Sequence, residues 1–258
     1  MKIFTYLFVG MTILTSCEKE INFDLNSSNP QLVIQGNIND QPGPYIVKLN
    51  TTVNFSDPNV YPPVTGALVI ITDNFGSVDT LSETSPGIYQ THSIQGIPGH
   101  TYMLKVVYNE KVYNAISTMP QKVNLDSLTY IPSTINNSKE IIPIYTDPIL
   151  LTNKYRFIQT INNELDLTYF LRNDNNVNGL VNEIPLFGSL LKIKSGDTVK
   201  IEMRCVDANY YQYFYILSEN KGPGGNTVPT NPPNNITTNK ALGYFGAYTS
   251  QSKTIVIQ

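Results

Sequence analysis

Beyond Pro30 the chain is a succession of short stretches in which apolar and polar residues alternate, each ended by Gly, Pro, Asn or Asp. That rhythm constrains the fold most, because a period of two places every second side chain on one face of a strand and cannot be satisfied by a helix. Gln31–Ile38 alternates, and Pro42-Gly43-Pro44 turns it into Tyr45–Leu49. Ala67–Thr72 runs into the turn signal Asp73-Asn74-Phe75-Gly76. Ile88-Tyr89, Tyr102–Tyr108 and Val112–Ser117 follow, with Asn109-Glu110 placed to close a tight hairpin. A second series comprises Asp126–Ile131, Ile141–Tyr145, Lys154–Asn162, Leu165–Arg172 and Thr198–Val206, then Gly243–Tyr248 and Lys253–Ile257. One segment breaks the rhythm: Asp207 caps a helix expected over about 208–219. Between it and the last strands lies Gly222–Pro233, rich in Gly and Pro and long for a loop in a compact domain.

The expected fold is therefore all-β: two tandem β-sandwiches of immunoglobulin-like or transthyretin-like kind, with one helix late in the second. Pro63-Val64-Thr65-Gly66-Ala67, Gly87-Ile88-Tyr89 and Gly99-His100-Thr101-Tyr102 resemble the transthyretin-like pattern, in which Gly-x-Tyr turns feed edge strands. Met119-Pro120 marks the boundary, giving sandwiches over 31–120 and 121–258.

The first 30 residues are of another kind. Lys2 precedes the apolar run Ile3–Leu14, too short for a permanent membrane span, and the run leads into Leu14-Thr15-Ser16-Cys17. This looks like a bacterial lipobox, making 1–16 a lipoprotein signal peptide, Cys17 the lipidated residue and 17–30 a polar tether. Two or three acyl chains anchor a protein stably, so outer-membrane attachment is expected. The acidic Glu18-Lys19-Glu20 favours display at the cell surface. With Cys17 lipidated, the only other cysteine, Cys205, is left without an intramolecular partner and reads as a small buried hydrophobe.

Material for catalysis is sparse. The two histidines, His92 and His100, fall in turn-rich segments, and no His/Cys spacing suits zinc. Gly222-Pro223-Gly224-Gly225 follows a helix and lacks the Lys-Ser/Thr of a phosphate loop. Asn173–Gly179 offers oxygen ligands but no closing Glu, so an Asn-rich turn is the reading rather than a calcium loop. A net charge of −3 provides no footprint for nucleic acid. The expectation is a non-enzyme with no cofactor and no metal. Binding has better material: Tyr210, Tyr211, Tyr213, Phe214 and Tyr215 on the helix, and Tyr244, Phe245 and Tyr248 beyond the loop. These either pack the helix on a sandwich or form a platform for sugar rings or a protein. As contacts, Tyr211, Tyr215 and Asn235 are singled out, because they lie at the ends of the long loop.

Several blocks resemble the DUF4249 lipoproteins of Bacteroidota: the lipobox at Cys17, Leu32-Val33-Ile34-Gln35-Gly36, Pro63–Ala67, Gly87-Ile88-Tyr89, and Asp147-Pro148 before Tyr155-Arg156-Phe157. Most specific are Pro232-Pro233-Asn234-Asn235-Ile236 and Ala241-Leu242-Gly243-Tyr244-Phe245-Gly246-Ala247-Tyr248. The resemblance implies an outer-membrane lipoprotein, in many cases encoded beside a TonB-dependent receptor, with no established reaction. The expected function is an accessory or binding partner of such a transporter; the alternative is a free-standing glycan- or peptide-binding lipoprotein.

Overall fold

A computed structural model describes residues 29–54, 57–134, 137–149, 151–175, 178–220 and 230–258. Cys17, the signal segment and most of the tether lie outside the described residues, as does the 221–229 part of the long loop.

The chain lays down β1 (Leu32–Asn39), β2 (Ile46–Thr51), β3 (Leu68–Asp73), β4 (Val78–Thr80), β5 (Ser82–Ser85), β6 (Ile88–Gln90), β7 (Thr101–Tyr108) and β8 (Lys111–Thr118). It continues with β9 (Ser127–Pro132), β10 (Lys139–Thr146), β11 (Lys154–Ile161), β12 (Glu164–Leu165), β13 (Phe170–Asn173), β14 (Val181–Asn182) and β15 (Thr198–Val206). Then come α1 (Ala208–Asn220), the single helix among the described residues, β16 (Ile236–Thr237) and β17 (Leu242–Val256). The all-β expectation with one late helix is met. Alternation works as predicted: β11 buries Tyr155, Phe157, Gln159 and Ile161 and turns Arg156 and Ile158 outward. Asn109 and Glu110 both adopt positive φ, the conformation a two-residue hairpin between β7 and β8 requires.

The strands form a nine-stranded sheet in the order β12-β11-β15-β17-β1-β2-β6-β5, with β13 also on β11. A five-stranded sheet (β16-β8-β7-β3-β4) covers one half of it and a three-stranded sheet (β14-β10-β9) accompanies the other. Two apolar cores result. One gathers Ile34, Val47, Ile71, Tyr102, Leu104 and Phe245; the other gathers Tyr145, Tyr155, Phe157, Ile201 and Met203. Cys205 is buried in the second core, where burial pushes its thiol above the ordinary value, consistent with an inert packing role.

Sequence order and hydrogen bonding divide the chain differently. The segments read as two closing strands are one 15-residue strand, β17. Its first half runs parallel to β1 (Val33↔Leu242 to Asn39↔Tyr248), and its second half runs antiparallel to β15 (Val206↔Tyr248 to Thr198↔Val256). β16 pairs with β8. A cut at residue 120 thus describes the order of the strands, while Ile236–Thr237 and Leu242–Tyr248 from beyond it are built into the N-terminal sandwich. Leu165–Arg172, read as one strand, is two. Asp166 accepts from the Thr168 amide (2.9 Å) and hydroxyl (2.6 Å), an Asx turn that ends β12 before β13 begins.

Both histidines sit on aspartates that organise turns. His100 Nδ1 lies 3.2 Å from Asp73, which also accepts from the Phe75 and Ser77 amides (2.9 and 2.8 Å). Buried Asp79 accepts from the amides of His92, Ser93 and Ile94 at 2.8, 2.7 and 2.9 Å, pinning the segment after β6 onto β4. Burial alone would raise its carboxyl; the three amides and the His92 ring outweigh that and bring it down to about 2. A folded pKa below the unfolded one, near 3.8, stabilises at higher pH: the contribution is complete above pH about 4 and disappears as pH falls through about 2. It amounts to about 2 kcal/mol. Asp79→Ala should therefore lower the melting temperature at pH 7, and its deficit relative to wild type should shrink between pH 4 and 2. A deficit independent of pH over that window would count against this assignment.

Candidate functional site

Asp207 ends β15 and starts α1. Its Oδ1 accepts from the Tyr210 amide at 2.7 Å, the N-cap expected from the sequence, and its other oxygen accepts from the Ser117 hydroxyl. Ser117 Oγ in turn accepts from the Ala247 amide at 2.8 Å, so the helix start is tied to β8 and β17. Burial raises the Asp207 carboxyl above its ordinary range.

From that cap the helix lies on the outer face of the nine-stranded sheet. Tyr210, Tyr211 and Phe214 are buried there, with Tyr244 and Tyr248 from β17 beneath them. Tyr210 packs on Gly246, where a Cβ would fall 2.2 Å from its ring. Two guanidiniums from adjacent strands, paired in register as Arg156↔Arg204, converge on the Tyr210 hydroxyl, donating at 2.8 and 3.3 Å. Arg204 also holds Glu202 through two bonds of 2.8 and 2.9 Å and lies 4.5 Å from the Tyr248 ring centroid. Arg156 stands 3.6 Å from the Phe214 centroid, a close cation–π contact, and among the described residues it has no carboxylate at ion-pair distance.

The helix roofs only part of this face and leaves two clefts beside it. One, about 360 Å³, is lined by Arg156, Arg204, Asp166, Tyr169, Tyr213 and Tyr244, among others. The other, about 480 Å³, is lined by Gln35, Lys48, Asn50, Tyr61, Tyr213 and Asn231, with Val33, Pro232, Leu242 and Gly243 completing it. They share Gln35 and Tyr213 and together form one groove over β11, β15, β17, β1 and β2.

Of the three contacts singled out from sequence, none lines either cleft. Tyr211 is buried, with Lys154 Nζ 4.9 Å from its ring centroid and Asn173 Nδ2 3.5 Å from its hydroxyl. Tyr215 is exposed and stacks on Tyr211 at 6.0 Å. Asn235 works on the main chain: its Nδ2 donates to the carbonyls of Ile116 (2.9 Å) and Phe245 (2.7 Å), and its Oδ1 accepts from the Phe245 amide (3.1 Å). Asn235→Ala should cost about 2–3 kcal/mol of stability, since it strands three backbone groups. Denaturant melts should show that loss, while ligand affinity of the folded fraction stays unchanged. What sequence reasoning missed is the groove's other wall, Gln35, Lys48, Asn50 and Tyr61. These are outward positions of β1 and β2 and a loop residue, and nothing in their local pattern marks them as neighbours of a helix 150 residues later.

Two further arrangements lie outside the groove. Ser82 Oγ is 3.0 Å from His92 Nε2, and His92 Nδ1 is 3.2 Å from Asp79. That is the connectivity of a hydrolase triad, but Ser82 lies exposed on β5 at the sheet edge and lines neither of the two clefts. The turn-pinning bonds of Asp79 account for the geometry, and a fluorophosphonate probe is expected to leave Ser82 unlabelled. At the Asn-rich turn, Asn173 Oδ1 accepts from the Asn175 amide and Asp174 accepts from the Asn153 amide (2.7 Å). Among the described residues no group of three His, Cys, Asp or Glu could hold a metal, and no helix is long and apolar enough to cross a membrane.

Fold and groove define an all-β protein of two sandwiches sharing one long sheet, with an aromatic, amide-rich and cationic depression on its outer face. The chain belongs to the DUF4249 family, described as a domain of unknown function, whose model matches residues 18–254. No curated protein matches it.

Proposed function

We propose that this protein is an outer-membrane lipoprotein of the Bacteroidota, anchored through lipid on Cys17 and displayed at the cell surface, acting as a non-catalytic accessory or binding partner of a TonB-dependent transporter. The observation that carries the binding part is the groove: it offers rings, amides and cations along an open face. Its one carboxylate among the described residues, Asp166, is engaged by Ser189, Thr168 and Gln159, and these bonds outweigh burial to hold it below its usual range. An acid so held is poorly suited to proton transfer at neutral pH. Membrane attachment rests on Leu14-Thr15-Ser16-Cys17 and the apolar run before it. The transporter partnership rests on the family resemblance alone. A free-standing binding lipoprotein is the second reading, favoured by one chain supplying rings, amides and cations to the same groove.

The test is made in the native envelope. Wild type should take up labelled acyl chains, fractionate with the outer membrane and, after mild cross-linking, co-purify with a TonB-dependent receptor; Cys17→Ala should lose label and membrane together. Wild type that carries no lipid would sink the anchor. Lipidated protein that captures no receptor would leave the free-standing reading in its place.

A further inference from the structure

We infer that the groove binds a short acidic oligosaccharide, a chain of sugar rings bearing carboxylates, laid across the strands from Arg156 to Lys48. The inference rests on the reading of the protein as a binding module and names its ligand class.

Three observations select this chemistry. The first concerns the backbone. Most backbone under the groove is paired on both sides: β15 by β11 and β17, β1 by β17 and β2, and β2 by β1 and β6. The Leu242–Ala247 half of β17 has β1 alone as strand partner, but the Asn235 side chain occupies its other edge at Phe245 and Ser117 Oγ accepts from the Ala247 amide. An extended peptide gains most of its affinity by adding to a continuous unpaired edge, and side chains interrupt the one that β17 leaves here. Recognition therefore rests chiefly on side chains. The second is their type. Tyr61 and Tyr213 supply ring faces for the apolar face of a sugar, and Gln35, Asn50 and Asn231 supply both donors and acceptors for hydroxyls. Tyr61 is 52% exposed, so its ring is available to a ligand. The third is charge. Lys48 and Arg156 stand toward opposite ends of the groove, and among the described residues neither has an ion-pair partner, whereas Arg204 is occupied by Glu202. Two unneutralised cations that line different clefts, Lys48 in one and Arg156 in the other, suit carboxylates distributed along a chain rather than one compact anion.

Purified full-length protein lacking only the lipid should bind tetrasaccharides of galacturonate, mannuronate or glucuronate in calorimetry, with at least one giving saturable binding that weakens as salt screens the pairs. The uncharged tetrasaccharide of glucose should bind about tenfold more weakly, as expected for loss of a charge-assisted contact. Lys48→Gln and Tyr61→Ala change exposed side chains and should each weaken binding about tenfold with an unchanged melting curve. Arg156→Gln should also weaken binding, with its folding checked by circular dichroism because Arg156 also packs on Phe214 and donates to Tyr210. Failure of all three uronate chains to bind overturns the inference, as does binding unaffected by both Lys48→Gln and Tyr61→Ala. Equal binding of the uncharged chain overturns the acidic assignment. None of these failures touches receptor co-purification, so the transporter reading stands or falls separately.

Discussion

Gly243→Ala is expected to abolish accumulation of folded protein. Gly243 sits at φ +100°, a region that L side chains rarely adopt, and an added Cβ would fall 1.9 Å from the Ile34 carbonyl oxygen of the neighbouring strand. The obstacle is backbone, so no rotamer change relieves it. The contact also lies where relief would be most disruptive, in the parallel ladder between β1 and β17 that brings the first strand of the fold against its last. Pushing β17 away there separates Phe245 and Ala247, both fully buried, from the N-terminal core. Strain at a positive φ, a backbone clash and a damaged core together should cost at least about 4 kcal/mol, a large share of the stability of a domain this size. Soluble yield and the urea midpoint measure it. A variant that expresses normally and loses less than about 1 kcal/mol would show that β17 can shift along β1 more freely than the packing implies.

The second large effect is local. Gly246→Ala should leave both sandwiches folded but detach α1. A Cβ here would lie 2.2 and 2.8 Å from two carbons of the Tyr210 ring, and that ring is 1% exposed, hemmed in by Phe214, Tyr244 and Tyr248 at centroid distances of 4.7, 5.4 and 5.9 Å. Unlike Gly243, the obstacle is a side chain on a helix outside both main cores, so the helix can lift. Lifting breaks the Arg156 and Arg204 bonds to Tyr210 and removes Tyr213 from the groove. Aromatic circular dichroism should collapse while the β signal persists, and uronate binding should fall below detection. Tyr210→Ala in the same chain removes the clash. The double variant should therefore be less impaired than the two single effects summed, a coupling readable from a double-mutant cycle. Strict additivity would mean that the ring does not rest on Gly246 as described.

How much of this was legible in the residues varies with how local its cause is. The alternation in Lys154–Asn162 predicted that strand. Asn109-Glu110 predicted its hairpin, and Asp207 its cap, because each depends on residues within a few positions. The continuity of β17 was not legible. Thr249, Ser250, Gln251 and Ser252 read as a polar interruption, yet Thr249 and Ser250 are buried. Their tolerance of burial comes from distant partners: β15 supplies the backbone ladder, Asp40 accepts from the Ser250 amide at 2.8 Å, and Gln251 accepts from the Leu125 amide at 3.0 Å. A single sequence carries no mark of such pairings.

The helix shows the same division. Its position, and the spacing that places Tyr210 beside Phe214 and Tyr211 beside Tyr215, were determined by the sequence, since a 3.6-residue period leaves no other arrangement. Which of those rings meet solvent was decided by the tertiary structure. The outer face of β17 presents a glycine at position 246, and only there can the backbone admit Tyr210, which turns Tyr210, Tyr211 and Phe214 inward and leaves Tyr213 at the groove. Burial is a property of two surfaces, and the sequence specifies each surface locally. It does not state which two will meet, because that depends on a parallel pairing between strands some 200 residues apart.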